Sequence, residues 1–319
     1  MSRIVVREAA LGERDRILRI ALTEPNAGMQ QARQVCQMTQ SYLQRCGGSV
    51  GALHLAESAG HVLTVCAALD LPGRVSLLVV PPWSLAKSSL GVLPDVLAAG
   101  SAAADQRGMR FAQILLDPEL SWRIEPYLLA VGFSHLASLD YMQRNAFDPV
   151  VIRPVEQVVW RTLPEAGEVA LADVILHTYI GSRDCPALTG IRTMEEILAS
   201  HRGAGEFDPD GWYLLQHRGR DVGVLLTART VLRPTLEVVY CGLVPEARGQ
   251  GLGRLCVHKA ILRARDLARP LVTLAVDAAN TPARRTYEAM GFAAYSTRDV
   301  WIRVFRRADQ EGHFALPSR

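Results

Sequence analysis

Between residues 50 and 145 the apolar positions fall in short runs divided by glycine or proline. "GALHLAE" (51–57), "HVLTVCAALD" (61–70) and "VSLLVVPPW" (75–83) predict three strands. The Ala/Leu-rich stretch "VLPDVLAAGSAAADQRG" (92–108) predicts a helix. A strand in "FAQILLD" (111–117) and a helix ending at "AVGF" (130–133) follow it. "NAFDPVVIRPVEQ" (145–157), with two prolines, reads as a linker.

The same order then begins again. "VEQVVWRTL" (155–163) is strand-like and "EVALADVILHTY" (168–179) helical. "WYLLQHRG" (212–219), "DVGVLLTARTVL" (221–232) and "TLEVVYCGLV" (235–244) predict three more strands. A helix over 251–268, the strand "PLVTLAVD" (270–277), a helix over 282–290 and terminal strands close the pattern. At residue level, "GFSHLASLDYMQR" (132–144) and "GFAAYSTRDVWIR" (291–303) share Gly-Phe, an Asp seven positions after the Phe, and an Arg four positions later. The pattern predicts a duplicated α/β chain with domains at 1–148 and 149–319, each a mixed, largely antiparallel sheet flanked by helices.

Composition narrows the function classes. The chain has 319 residues, 49% of them hydrophobic, which is enough for two cores. A net charge of +3 with no lysine-rich block gives no footprint for nucleic acid. Six cysteines show neither CxxC nor Cys/His ligand spacing, so no metal site is expected and the thiols read as reduced. The charged N-terminus, "MSRIVVREAALGERDR", does not look like a signal peptide, and no apolar run reaches membrane-spanning length. These features predict a soluble cytoplasmic protein with no membrane partner; they leave the oligomeric state open.

The chemistry concentrates at "LVPEARGQGLG" (243–253). A strand ends at Pro245, a helix begins near Gly251, and glycines fill the junction. Helix N-termini present unsatisfied N–H groups and a positive dipole end, so they suit an anion. Glycines let a pyrophosphate approach those groups closely, and Arg248 adds positive charge. Arg248-Gly249-Gln250-Gly251-Leu252-Gly253 resembles the R/Q-x-x-G-x-G/A motif of the GNAT superfamily of acetyltransferases. "VDAANTPARRTYEAMGF" (276–292) is similar to that family's final helix.

The resemblance implies acetyl-CoA as acyl donor, held by Leu243, Val244, Arg248, Gly249, Gln250, Gly251, Leu252, Gly253, Arg254 and Asn280. Asn280 matches the asparagine that meets the pantetheine arm, and Tyr287 the tyrosine beside the departing thiol. Glu237, in "LEVVYCGL", matches a glutamate general base in the histone-acetyltransferase branch. Simple alternation puts Glu237 on one strand face with Val239, Cys241 and Leu243. Cys241 is also a potential nucleophile, but no histidine is placed by sequence to activate it. Thr281 and Pro282 read as cap and first-turn residues of the final helix.

The acceptor is expected to be a primary amine of a small molecule or peptide, attacking directly. The long connection over 181–211 offers Asp184, Glu195 and Glu196 for an amine, and Arg183 and Arg192 for a carboxylate. The tandem arrangement is similar to that of the mycothiol synthase branch, in which the first copy is degenerate. Here Leu85, Ser88 and Leu90 stand opposite Arg248, Gly251 and Gly253, and Tyr127 sits one position out of register with Tyr287. The first half is therefore expected to be structural, with Ser84, Lys87 and Ser88 the only remnant of a phosphate site. Two alternatives remain at this stage: a non-catalytic acyl-CoA-binding sensor, and transfer from a different acyl donor.

Overall fold

The computed structural model describes residues 3–24, 27–81, 87–230 and 233–306. The chain forms two compact units, one from residues up to Leu136 plus a segment starting at Asp299, the other from Ala137–Arg298. Pro82, Ser84 and Leu85 lie outside the described residues, as do the side chains of Lys87 and Ser88.

The first unit runs β1 (Ile4–Glu8), α1 (Arg14–Leu22), α2 (Met29–Cys46), β2 (Ser49–Ser58), β3 (His61–Leu71), β4 (Val75–Val79), α3 (Lys87–Leu90), α4 (Leu93–Gln106), β5 (Phe111–Leu116) and α5 (Pro118–Ala130). Strands β1 to β4 pair antiparallel in sequence order, and β5 joins β4 in parallel. Helices α1 and α2 bury one face around Ile17, Leu43 and Leu55. Helices α4 and α5 bury the other around Leu97, Ile124 and Leu128. Coverage on both faces explains why β2 and β3 read as nearly continuous apolar runs. Leu90 and Tyr127 pack against the α4/α5 core.

The second unit repeats this order. It takes most of β6 (Ser134–Asn145), then β7 (Val158–Thr162), α6 (Leu163–Ala166), α7 (Glu168–Thr178), α8 (Met194–Arg202), β8 (Trp212–His217), β9 (Arg220–Arg229) and β10 (Thr235–Leu243). After these come α9 (Leu252–Asp266), β11 (Leu271–Asp277), α10 (Thr281–Ala289) and β12 (Ala293–Val304). Strands β7 to β10 pair antiparallel, β11 lies parallel to β10, and Leu139–Asn145 of β6 runs antiparallel along β11. Helices α7 and α8 cover Trp212, Leu214 and Leu226 on one face; α9 and α10 cover Val238, Val272 and Phe292 on the other.

The stretch 181–211, expected as an open connection, contains α8. Thr193 begins that helix: its hydroxyl accepts from Glu196 N–H while Glu196 accepts from Thr193 N–H, a reciprocal cap.

The two units trade their last strands. β6 starts in the first unit and ends in the second, while Asp299–Val304 of β12 pair antiparallel with β5 in the first. This gives the repeated Gly-Phe, Asp, Arg spacing a physical purpose. Arg144, ending β6, donates to the carbonyls of Met290, Asn145 and Asp148 and lies against Gly291. Arg303, near the end of β12, lies against Gly132. The arginine of each copy thus sits at the helix-ending glycine of the other.

Arg144 is almost fully buried, so removing its guanidinium strands the carbonyl of the buried Met290. Arg144→Met is expected to lower unfolding free energy by about 3 kcal/mol, read from urea denaturation. A loss under about 1 kcal/mol would mean that the buried guanidinium contributes no more than its packing.

Candidate active site

The site begins with a defect in β10. Its register against β9 passes from Val238↔Thr227 to Tyr240↔Leu226, so Val239 is a bulged residue with no partner. Pairing with β11 stops at the same point, at Val238↔Leu274. Beyond it β10 and β11 part, and the backbone groups of β10 that would have met β11 face open space.

The bulge also overturns the simple alternation expected from sequence. Val239 and Tyr240 both pack with the α7/α8 layer, while Cys241 and Leu243 pack on the α9 side. Glu237 therefore shares a face with Val239 but not with Cys241 or Leu243. The Tyr240 hydroxyl bonds the Thr178 hydroxyl at 2.7 Å. Gly242 is required beside them: a Cβ there would stand 2.8 Å from both hydroxyl oxygens.

After β10, Gly249 and Gly251 both adopt positive φ, +75° and +83°, which L side chains rarely take. Gly251 is the N-cap of α9 and Leu252 is fully buried beneath it, fixing the helix start. Arg248 spends its guanidinium on four carbonyls: Leu243, Thr178, Ile180 and Gly181, at 2.8–3.1 Å. It ties the end of α7 to the end of β10 and leaves its charge at the exposed wall of the loop. Gln250 donates to Glu246 O, and Val244 N–H is taken by Val222 O.

Two clefts meet at this point. One, of about 430 Å³, lies in the gap between β10 and β11, under Ser182, Arg183 and Asp184. The other, of about 730 Å³, runs over Gly249–Gly251, Gly253 and Arg254 and is walled by Arg153–Val155 of the linker. Cys241, Leu243, Arg248, Asn280 and Tyr287 line both. A Cβ on Gly253 meets only ordinary contacts, with Thr286 and Leu243 at 3.8 and 3.9 Å, so a larger side chain there would project into the second cleft.

Asn280, not Thr281, caps α10: its Oδ1 accepts from Ala283 N–H at 3.4 Å and Thr281 is the first helical residue. Ala283, Tyr287 and Met290 share the face that packs on the sheet. Burial, and then the neighbouring Cys241, pushes the Tyr287 hydroxyl well above its ordinary value. Cys256, behind Cys241, is raised by a hydrogen bond to that thiol and by burial. All six cysteines are free thiols.

Glu237 is half-buried, has no ion-pair partner among the described residues, and burial pushes its carboxyl up to about 7. It neighbours Tyr141, and it is not itself part of the first cleft's lining, to which the next residues, Val238 and Val239, belong. Of the expected acceptor residues, Arg183 and Asp184 line the first cleft. Glu195 is exposed and Glu196 belongs to the α8 cap. The basic residues of α9 divide: Arg263 pairs with Asp208 at 2.6 Å, Arg265 holds Ala146 and Asp148 carbonyls, and Arg254 alone of these lines a cleft. Sequence reading missed Arg153; its position in a proline-flanked linker gives no periodicity to read.

A carboxyl whose folded value exceeds its unfolded value favours the folded state while protonated. The Glu237 contribution is complete below about pH 4.5 and is lost as pH rises to about 7, a change on the order of 3 kcal/mol. Glu237→Gln should therefore gain stability relative to the parent across that window and hold the gain above it. Parallel pH–stability curves for the two proteins would show that Glu237 is solvated after all.

With the geometry in view, comparison with known proteins is informative. Residues 183–292 match the Acetyltransferase (GNAT) family. A mycothiol acetyltransferase of Thermomonospora curvata is 37% identical over 107 residues, 34% of this chain and 35% of that protein. One of Thermobifida fusca is 26% identical over 290 residues, 80% of this chain and 84% of its own length. The chain thus matches about a third of the first relative and most of the second. A solved tandem GNAT protein from the clavulanic acid biosynthesis pathway superposes with a TM-score of 0.55 at 16% identity, covering 95% of this chain and 98% of that one. The glycine loop, the parted strands and these likenesses agree: residues 183–292 match the acetyltransferase domain of the GNAT family, and the chain has a tandem GNAT fold.

Proposed function

We propose that the second unit transfers an acetyl group from acetyl-CoA to a primary amine of a small molecule or peptide by direct attack, as a cytoplasmic enzyme. The observation that carries the reading is the meeting of the two clefts at Cys241, Leu243, Asn280 and Tyr287. One cleft runs over a helix N-terminus suited to phosphate, and the other is lined by Val238 and Val239, the residues next in β10 to a carboxyl raised to about 7. Among the described residues no His/Cys/Asp/Glu cluster suits a metal, and no helix is long and apolar enough to cross a membrane.

Bound at the glycine loop, acetyl-CoA supplies the thioester. The first-turn N–H groups around Gly251 and Gly253 receive its pyrophosphate, with Arg248 and Arg254 adding charge from the walls. The pantetheine arm takes the place of the missing strand beside β10, against Asn280. Glu237 accepts the amine proton through water, and a carboxylate titrating near 7 is matched to that task. N–H groups on the free edge of β10, up to Leu243, stabilise the developing oxyanion, worth about 3 kcal/mol. Tyr287, kept protonated by burial, donates to the departing thiolate. A sensor that only binds acyl-CoA has no use for a half-buried Glu237 without an ion-pair partner among the described residues, which costs stability at neutral pH. The first unit is structural in this reading.

Two measurements address the chemistry. The Glu237-dependent limb should make kcat/KM rise with pH through about 7, and Glu237→Gln should flatten it. Tyr287→Phe should cut kcat roughly 10-fold or more with little change in acetyl-CoA affinity. Parental rates in both variants from about pH 6 to 9 would remove these roles. For the binding site, Gly253→Val should weaken acetyl-CoA binding at least 10-fold while the far-ultraviolet spectrum stays parental. Equilibrium dialysis should count one acetyl-CoA per chain. Unchanged affinity, or two equivalent sites, would overturn the assignment of a single site at this loop.

A further inference from the structure

Of the six free thiols, four are buried: Cys36, Cys46, Cys66 and Cys256. The other two face cavities. Cys185 lines a chamber of about 180 Å³ beneath α8, and burial, then Asp184, pushes its thiol up to about 12. Cys241 stands in a different place. It lines both clefts at the point where they meet, with Leu243, Asn280 and Tyr287. The reaction proposed above gives Cys241 no role, although it neighbours Tyr287 and therefore the spot where a sulfur departs.

Cys241 is one of a pair. Cys256, on α9, lies behind it, hydrogen-bonded to its thiol and packed in the same apolar cluster. That bond and burial hold the Cys256 proton in place, so Cys241 is the member whose sulfur is free to react. The walls decide what it can react with. Among the described residues lining the two clefts there is no histidine, hence no imidazole to make Cys241 an acyl carrier. Thiol–disulfide exchange demands less: a fraction of thiolate and a disulfide sulfur held within reach. The second cleft is lined by Arg153, Arg248 and Arg254 and by no aspartate or glutamate, so it suits a disulfide that carries phosphate.

Resting on the acetyltransferase reading above, we infer that Cys241 is a modification site for the disulfide form of coenzyme A, which caps it with one coenzyme half and closes the enzyme. The Cys241 thiolate attacks the sulfur of the half seated in the second cleft. A Cys241–S–S–CoA bond forms and the original S–S bond breaks. The other half leaves by way of the first cleft as a thiolate, which takes up the proton that Cys241 gave up. No other oxidant is needed, because one disulfide replaces another and one thiol replaces another. The cap keeps a pantetheine arm in the donor cleft, so acetyl-CoA cannot enter. Cys256 keeps its proton and does not displace the cap; an external thiol does.

The test is incubation of the full chain with CoA disulfide, read by intact mass, peptide mapping and equilibrium dialysis of acetyl-CoA. The parent protein should gain one CoA moiety, mapped to Cys241, and lose acetyl-CoA binding in the same proportion. Dithiothreitol should restore both. Cys241→Ser should gain no CoA and, whatever its starting affinity, show no loss of binding on treatment. Cys185→Ser should be capped as the parent is. Mapping in the parent carries the test if Cys241→Ser does not fold. Glutathione disulfide, which lacks the phosphates, should cap Cys241 roughly 10-fold more slowly or worse, and Gly253→Val should shrink that difference. Capping shared between Cys185 and Cys241, or equal rates with the two disulfides, would overturn the inference. So would a Cys241–Cys256 disulfide in place of the cap, or an acetyl group on Cys241 after acetyl-CoA alone. Acetyl-CoA binding without capping removes the modification site and leaves the acetyltransferase reading standing. No acetyl-CoA binding before treatment is the failure of that reading, and it takes this inference with it.

Discussion

The parting of β10 from β11 after Val238 is the constraint on which the second unit depends. A parallel pair that continued to Leu243 would satisfy its own backbone and leave nothing for a ligand. The bulge at Val239 and the end of pairing at Leu274 coincide, so one local event opens the cleft, exposes a strand edge and redirects Tyr240. An open edge is a liability in a folded protein. Here it is sheltered by what surrounds it: α10 with Tyr287 on one side, the 181–184 turn on the other, and the glycine loop at the end. Arg248 makes that arrangement rigid, since its four carbonyl bonds join α7, the turn after it and β10.

Much of this was legible in the sequence because it rests on local rules. Glycines that need positive φ announce themselves, and so does a helix beginning Asn-Thr-Pro. The strand and helix order after residue 50 follows from apolar runs and their punctuation, and tandem GNAT likeness confirms the fold class. What escaped was non-local. A bulge leaves no mark in "LEVVYCGL", so the face of Cys241 was misjudged. Helix α2 buries only Ala32, Cys36, Leu43 and Cys46 in a glutamine-rich stretch, too sparse a stripe to stand out. Helix α8 was hidden inside a stretch of turns, although Thr193-Met-Glu-Glu is a capping box that a closer reading would have found. That Cys256 lies behind Cys241 depends on how α9 docks, which no spacing reveals.

The duplicated Gly-Phe, Asp, Arg spacing shows a different kind of legibility. The repeat was visible, but its meaning was not, because the partners lie in opposite copies. Arg144 serves Gly291 and Arg303 lies at Gly132. Asp140 likewise meets Arg284 and Thr297 rather than residues of its own repeat, and Asp299 meets His135. Each copy thus supplies residues that meet the other's, while the glycine-rich sequence 249–253 belongs to the second copy alone.

That exchange governs how the chain is made. During synthesis from the N-terminus, β5 emerges early, yet the residues that pair with its free edge, Asp299–Val304, emerge after nearly everything else. The first unit therefore waits with an unpaired hydrophobic strand while the second is translated, and its completion has very high contact order. Folding of the two halves is coupled in time as well as in sequence. Neither half is a module that a gene fusion can move intact, because a chain cut at the proline-rich linker leaves each piece carrying the strand the other needs and lacking its own.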